Sequence, residues 1–346
     1  MAMRKLKDGI FRAAGTCLRV SFLNFISKDF FKRRATIIFF HSAWQAKTGH
    51  KALFGGMNLE AFSAELRKLS GFFEFVSLPG LLERNGKNPP QNPLLSVTFD
   101  DGFDLIRTGA SQVMQDLGIQ ATTFVNPDSV NYRRVLWQHK FSAILGMKGE
   151  ETFVSAFNKI QTKLELQPIR TFREQIQAVR LWKMGQKDQL ASEIWAYSEM
   201  PDEQEFLERH RPYFDWNDLK DWIARGHFVG CHTNTHPFCS LLNEEEMHSE
   251  IVGAGKAIAA GLGLKKIPFA YPFGDRLPPA LEAKLAGANE FSCLLGTAGL
   301  SPIAFSPNQL ERVETEKGVD EMLFGKPMVG SLKRRIGLRQ KHISGY

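Results

Sequence analysis

Cysteine is scarce in this sequence: four occur in 346 residues (Cys17, Cys231, Cys239 and Cys293), and no two form a CxxC pair. That excludes a dense disulfide framework. A chain of this length needs none to build a core, so all four read as free thiols of a reducing compartment. No stretch approaches the ~20 apolar residues of a membrane span. The N-terminus opens with charge, as an export signal would, but Arg12 and Arg19 interrupt its apolar residues and no clear cleavage site follows. The expectation is a cytoplasmic protein. Net charge is also missing from most of the chain. Nine basic and two acidic side chains in residues 1–34 account for the whole net charge of +7. The neutral body excludes a general nucleic-acid-binding surface. Internal repeats and low-complexity segments are absent too.

What is present is an alternation of short β-branched or aromatic runs with helical patterns. Strands are expected over 35–41, 72–76, 94–101, 121–126, 227–232, 267–272, 291–297 and 309–314. Helices are expected over 59–70, 105–117, 215–225, 243–262 and 278–287. Such alternation implies a mostly parallel sheet, and seven or eight strands suit a distorted (β/α)7-8 barrel. The doubly wound alternative lacks a GxGxxG after its first strand. Residues 133–212 break the rhythm and read as a helical insertion. The domain expectation is a basic amphipathic segment over 1–34, a barrel over 35–315, and a basic C-terminal tail over 316–346. Within the first segment Ile10, Ala14, Cys17, Leu18, Phe22, Phe25 and Ile26 recur at helical spacing. That stripe suits either an anionic membrane surface or the protein's own body.

Chemistry concentrates at strand ends. In SVTFDDGF (96–103) two carboxylates, Asp100 and Asp101, fall where a buried-looking strand stops. The carboxyl ends of parallel strands build the active-site mouth of a barrel, although Asp before Gly is also ordinary turn chemistry. GCHTNTH (230–236) ends another strand with His232 and His236, and YPFG (271–274) ends a third. One carboxylate and two neutral imidazoles make a three-ligand set for a catalytic Zn²⁺-type ion with a position open for water. The spare carboxylate could then deprotonate that water. A zincin needs Glu directly after its first His, and Thr233 stands there. A two-His-one-carboxylate iron oxygenase would match the ligands but leave the adjacent Asp without a task.

These residues resemble the polysaccharide deacetylases of carbohydrate esterase family 4, the nodulation-deacetylase homology domain. TFDDG (98–102) is similar to the family's first motif, HTNTH (232–236) to its H-[ST]-x-x-H second, and FAYPFG (269–274) to its third. The likeness covers roughly 35–315 apart from the insertion. It implies a distorted (β/α)₇ barrel that releases acetate from an N-acetylated sugar with a divalent metal, Zn²⁺ first and Co²⁺, Ni²⁺ or Fe²⁺ as alternatives. By this resemblance Asp100 is the general base and Asp101, His232 and His236 are the metal ligands. The backbone N–H of Phe273 holds the oxyanion, and Thr233 supports the site by hydrogen bonding.

Two departures stand out. Ala270 occupies the place of an Arg that many members carry in motif three, so the partner of the base is missing or supplied elsewhere. No L-x-H general-acid motif is found; LERVE (310–314) stands near its place without a His. His41, Tyr271, Asp104 and Asp275 are the substrate-binding candidates, and Trp137 and His139 could line the cleft from the insertion. Cys231, next to His232, should point to the opposite strand face. The expectation is a metal-dependent carbohydrate de-N-acetylase acting on an N-acetylated glycan in cell-envelope glycan assembly. An anionic inner membrane is a possible peripheral partner, and nucleic acid is not expected. A sugar deformylase and a catalytically silent carbohydrate-binding protein on the same barrel are the alternatives.

Overall fold

In a computed structural model, residues 8–14, 16–17, 24–44, 54, 56–162, 168–325 and 327 are described. Their principal helices are α1 (Asn24–Lys32), α2 (Leu59–Ser70), α3 (Ser111–Asp116), α4 (Trp137–Lys148), α5 (Glu150–Gln161), α6 (Met184–Tyr197), α7 (Glu203–His210), α8 (Trp216–Ala224), α9 (Ala254–Leu262) and α10 (Pro279–Ala288). The sheet is built from β1 (Arg34–Phe40), β2 (Leu94–Phe99), β3 (Thr122–Val125), β4 (Phe228–Cys231), β5 (Phe269–Ala270), β6 (Leu294–Gly296), β7 (Leu310–Glu311) and β8 (Val313–Glu314). β1 through β7 run side by side in chain order and all parallel. Ile38 sits opposite Val97 and Phe39 opposite Thr98. Short edge pieces at Glu74–Phe75 and Ser301–Pro302 pair with β2 and β1.

The segment 310–314 nearly closes the barrel. Its first half pairs with β6 (Leu310 opposite Leu295), and its second half pairs with β1 (Val313 opposite Ile38). Arg312 sits at the handover between the two. Covered on both faces, β2 and β3 bury every residue, the pattern expected of parallel strands under helices.

Local signals explain the helices that cover the sheet. α2 is capped by Asn58, whose Oδ1 accepts from the backbone of Glu60 and Ala61, and it buries Phe62, Leu66 and Leu69 on one face. α8 starts in a capping box between Asp215 and Asp218 and buries Leu219 and Trp222 before β4 begins. The insertion between β3 and β4 folds as helices α4 to α7 around its own core, which includes Trp137, Phe141, Phe157, Leu190 and Phe206. That core runs into the barrel through Phe103, Tyr213 and Phe238.

The expected segment boundaries shift at both ends. Phe31 of α1 packs with Phe72, Phe73 and Phe324 at ring separations of 5.1 to 5.8 Å. Val319, Leu323 and Phe324 are fully buried, so residues 316–325 belong to the body rather than to a tail. Apolar burial holds them there; the basic cluster beyond lies outside the described residues. Of the N-terminal stripe, Leu18 and Phe22 also lie outside them. Nearby, Thr16 donates to Asp320 and Arg12 pairs with Glu321 at 3.7 Å, while Ile10 is 60% exposed. No helix among the described residues is long and apolar enough to cross a membrane.

Candidate active site

β2 ends at Phe99, and the two carboxylates follow at once. Strand alternation turns Thr98 and Asp100 to the face opposite Phe99. Asp101 then takes a left-handed backbone (φ 68), which Gly102 continues (φ 64) where a Cβ would run into Val125. Thr233 (φ 66), His236 (φ 64) and Phe273 (φ 55) share that conformation. Such residues cost of order 1 kcal/mol or more each and cluster where function requires them.

The HTNTH loop is held from several sides. The Asn126 amide donates to the carbonyls of His232 and Thr233. Thr233 Oγ1 donates to the His232 carbonyl and accepts from His236 N–H at 3.0 Å. Glu250 accepts from both the backbone and the hydroxyl of Thr235, at 2.9 and 2.8 Å. Thr233 is therefore a support, as its position in the motif implied.

Asp101, His232 and His236 are all buried, and each offers a ligand atom within 4.8 Å of the others. His232 Nδ1 lies 2.8 Å from the Ala270 carbonyl, which fixes the proton on Nδ1 and leaves the Nε2 lone pair facing Asp101 Oδ1 at 3.6 Å. His236 Nε2 approaches the same oxygen at 3.3 Å. Burial lowers His232 to about 4, so it is neutral, as a ligand must be. Asp101 Oδ1 is a buried carboxylate oxygen with no hydrogen-bond partner. An orphaned anionic oxygen between two imidazoles is costly unless a cation completes it, and the donor set fits Zn²⁺ or a similar ion.

Asp100 is held differently. The Arg312 guanidinium, 0% exposed, clamps it with NH1 to Oδ1 at 2.7 Å and NH2 to Oδ2 at 2.9 Å. The guanidinium also lies over the Phe39 and Phe124 rings, 4.6 and 5.2 Å from their centroids. Burial opposes ionisation of both carboxylates, but charged and hydrogen-bonded neighbours outweigh it. Arg312 and His232 hold Asp100 below its ordinary range, and His236 and His139 hold Asp101 well below it. Motif three offers no such cation, and the one beside Asp100 comes from the segment that nearly closes the barrel.

Among the expected substrate contacts, His41 stays at the rim. It follows Phe40, whose carbonyl accepts from Asp100 N–H, and its ring is 37% exposed. Glu316 accepts from His41 N–H at 2.7 Å and lies 3.3 Å from Nδ1. Burial works against its charge, but Glu316 outweighs this and raises His41 to about 10.

The other three candidates are engaged within the protein. Tyr271 is fully buried; it shares a strand face with Phe269, packs on it at 4.8 Å and reaches Glu282. Asp104 is taken by Arg107 at 2.8 Å, and Asp275 by Ser240 N–H at 2.7 Å and Arg180 at 3.5 Å. Trp137 and His139 do reach the site from the insertion, but as buried supports rather than cleft lining. Trp137 Nε1 donates to the His236 carbonyl, and His139 Nε2 lies 3.1 Å from Asp101 Oδ2. Phe273 packs edge-on against His236 at 4.6 Å and stacks on Phe238 at 4.4 Å. Cys231 is buried on the outer face, as alternation required.

A model of the polysaccharide deacetylases matches residues 87–289. The chain belongs to that family. Among solved structures, IcaB from Ammonifex degensii aligns with a TM-score of 0.52 and 16% identity over 82% of this chain and 94% of its own. The Streptococcus pyogenes deacetylase PplD, solved in complex with acetate, aligns with a TM-score of 0.50 and 13% identity over 81% and 91%. At these identities the likeness establishes the fold, a nearly closed parallel barrel. No curated protein matches the sequence. Family membership indicates a hydrolase that deacetylates glycans. In this chain residue 312 supplies the guanidinium beside Asp100, and motif three carries Ala270. Arg312, Glu316 and Tyr213 were not singled out by sequence, although LERVE marked the segment that carries the first.

Proposed function

We propose that this polysaccharide deacetylase is a metal-dependent hydrolase that removes the N-acetyl group from an amino sugar of a glycan. The observation that carries the reading is the division of labour between adjacent carboxylates. Asp101 turns an unpartnered oxygen to two imidazoles, while Asp100 is kept ionised by Arg312 beside them. A divalent cation held by Asp101, His232 and His236 would supply the positive charge that polarises the acyl carbonyl and acidifies water.

Asp100 accepts the proton of the attacking water. Arg312 occupies one lone pair on each of its oxygens, and an ionised carboxylate has about four such sites, so acceptor capacity remains. Water oxygen bonds to the acyl carbon, and the Phe273 backbone N–H meets the developing oxyanion. His41, kept protonated by Glu316 and adjacent to Asp100 in strand register, donates its proton to the nitrogen as the C–N bond breaks. The products are acetate and a free amine. The basic N-terminal segment would suit a lipid-linked substrate at a cytoplasmic, anionic membrane surface.

The test compares wild type, Asp100→Asn and His232→Ala for bound metal per chain and for acetate release from N-acetylated oligosaccharides. Asp100→Asn should keep its metal and lose activity, and His232→Ala should lose both. Metal in the wild type with formate released from N-formyl sugars, and no acetate, would favour the deformylase. Absence of metal from all three would overturn the site.

A further inference from the structure

We propose that His139, carried by the helical insertion, is a positioning residue that sets which oxygen of Asp101 is offered to the metal. The insertion is therefore part of the site rather than an ornament on the barrel. The inference rests on the metal-site reading above and deepens it.

The observations form one connected chain. Tyr213 Oη accepts from the Leu136 backbone N–H at 3.3 Å and lies 2.7 Å from His139 Nδ1. On the other side of the ring Asp101 Oδ2 is a carboxylate oxygen and can only accept, so the neutral imidazole donates from Nε2 and the Tyr213 hydroxyl proton goes to Nδ1. Nδ1 is then an acceptor, and Nε2 points at Asp101 Oδ2 across 3.1 Å. Phe103 fixes the ring planes: it stacks on Tyr213 at an interplanar angle of 17° and lies 4.7 Å from His139. His139 is 4% exposed, Tyr213 and Phe103 1% each, so water does not compete for these bonds.

With Oδ2 occupied, only Oδ1 is left to face His232 and His236, and Oδ1 is the oxygen without a partner. A metal held here would meet Asp101 through Oδ1, with Oδ2 kept by His139. The same first turn of α4 reaches a second ligand, because Trp137 Nε1 donates to the His236 carbonyl at 3.1 Å. Two of the three ligands are therefore oriented by a segment that lies outside the barrel strands. A histidine serving only to fill space between Phe103 and Tyr213 would not need this hydrogen-bond polarity.

Three variants test the assignment: His139→Ala, His139→Gln, whose amide N–H can replace the Nε2–H donor, and Tyr213→Phe. Each is checked for folding by circular dichroism. Zinc affinity is measured by chelator competition, and the cobalt-loaded protein by its visible absorption. Loss of such an outer hydrogen bond typically costs about 10–100-fold in metal affinity, which is the expectation for His139→Ala, with an altered cobalt spectrum. His139→Gln should recover most of the affinity. Tyr213→Phe should fall between. Should His139→Ala fail to fold, the recovery in His139→Gln and the loss in Tyr213→Phe decide. Zinc affinity and cobalt spectrum unchanged in folded His139→Ala, or in Tyr213→Phe where His139→Ala does not fold, would overturn the inference while leaving the metal site standing. A wild type that binds neither ion overturns the proposed function and this inference with it.

Discussion

Arg312→Met keeps most of a buried stem and removes the charge that Asp100 depends on. The pair it breaks is dry, with side chains 0% and 4% exposed and two N–H···O contacts of 2.7 and 2.9 Å. Removing one partner of such a pair leaves a buried charge uncompensated and costs about 3–5 kcal/mol. His232 Nε2 lies 3.9 Å from Asp100 Oδ2 and can take up a proton in response, which places the expected loss at the lower end, about 3 kcal/mol. The pH dependence has a definite sign. In wild type Asp100 titrates below its ordinary value of 3.8, so its stabilising contribution is present above that value and lost as pH falls through the folded one. Without Arg312 burial acts with much less opposition and Asp100 titrates higher. The variant is then weakest at neutral pH, and the gap to wild type narrows in acid. Urea unfolding of chelator-treated protein, at neutral pH and in mild acid, measures both effects, with an unchanged m-value as the control. Adding Asp100→Asn should restore most of the loss, because a pair removed together leaves no stranded charge. A loss under about 1 kcal/mol in the single variant, or additivity in the double, would refute the reasoning that this clamp keeps Asp100 ionised.

Three further outcomes follow from particular contacts. His41→Gln should keep its metal and lower kcat by about 10²–10⁴-fold if His41 is the proton donor. The pair with Glu316 raises His41 to about 10, so its charge persists through neutral pH and is lost as pH rises through that value. Glu316→Gln should accordingly move the alkaline limb of kcat/KM toward neutral pH, and a limb that stays put would exclude His41. Gly230→Ala should destabilise by about 1–3 kcal/mol through overpacking. A Cβ at residue 230 would stand 2.4 Å from the Phe124 ring and 2.9 Å from the Pro268 carbonyl; an unchanged urea midpoint would show that the wall yields.

Legibility divided along sequence distance. TFDDG and HTNTH each bring their groups together within a few residues of one strand end, and the expected ligand trio does converge. The strand and helix alternation gave the barrel, and α2 falls on the expected 59–70. The burial of Tyr271 has a local reason that was itself readable. Alternation along β5 puts Tyr271 on the same outward face as Phe269, and only Ala270 between them turns inward, its carbonyl meeting His232. Asp104 meets Arg107 three residues on, a local pair at a helix start that was readable, whereas no pattern in the chain announces Ser240 as the partner of Asp275. His139 could be suspected from its insertion but not assigned. Its role depends on Tyr213, 74 residues away, and on a carboxylate 38 residues away.

The two departures from the family pattern have one physical origin. Motif three lacks its arginine and the C-terminal segment lacks its histidine, which by sequence looks like two losses. In space, residues 310–316 pass from β6 to β1 and close the barrel, so whatever they carry is delivered to the end of β2 as well. Arg312 fills the interior at the handover and reaches Asp100; Glu316, two residues past β8, reaches His41 at the end of β1. A guanidinium that enters from the closing segment leaves residue 270 free to be small, while the backbone carbonyl of Ala270 meets His232. The partners of Asp100 and of the rim histidine are therefore set by the geometry of closure rather than by motif three. Disturbing the register of 310–316 should cost activity even where every motif residue is intact.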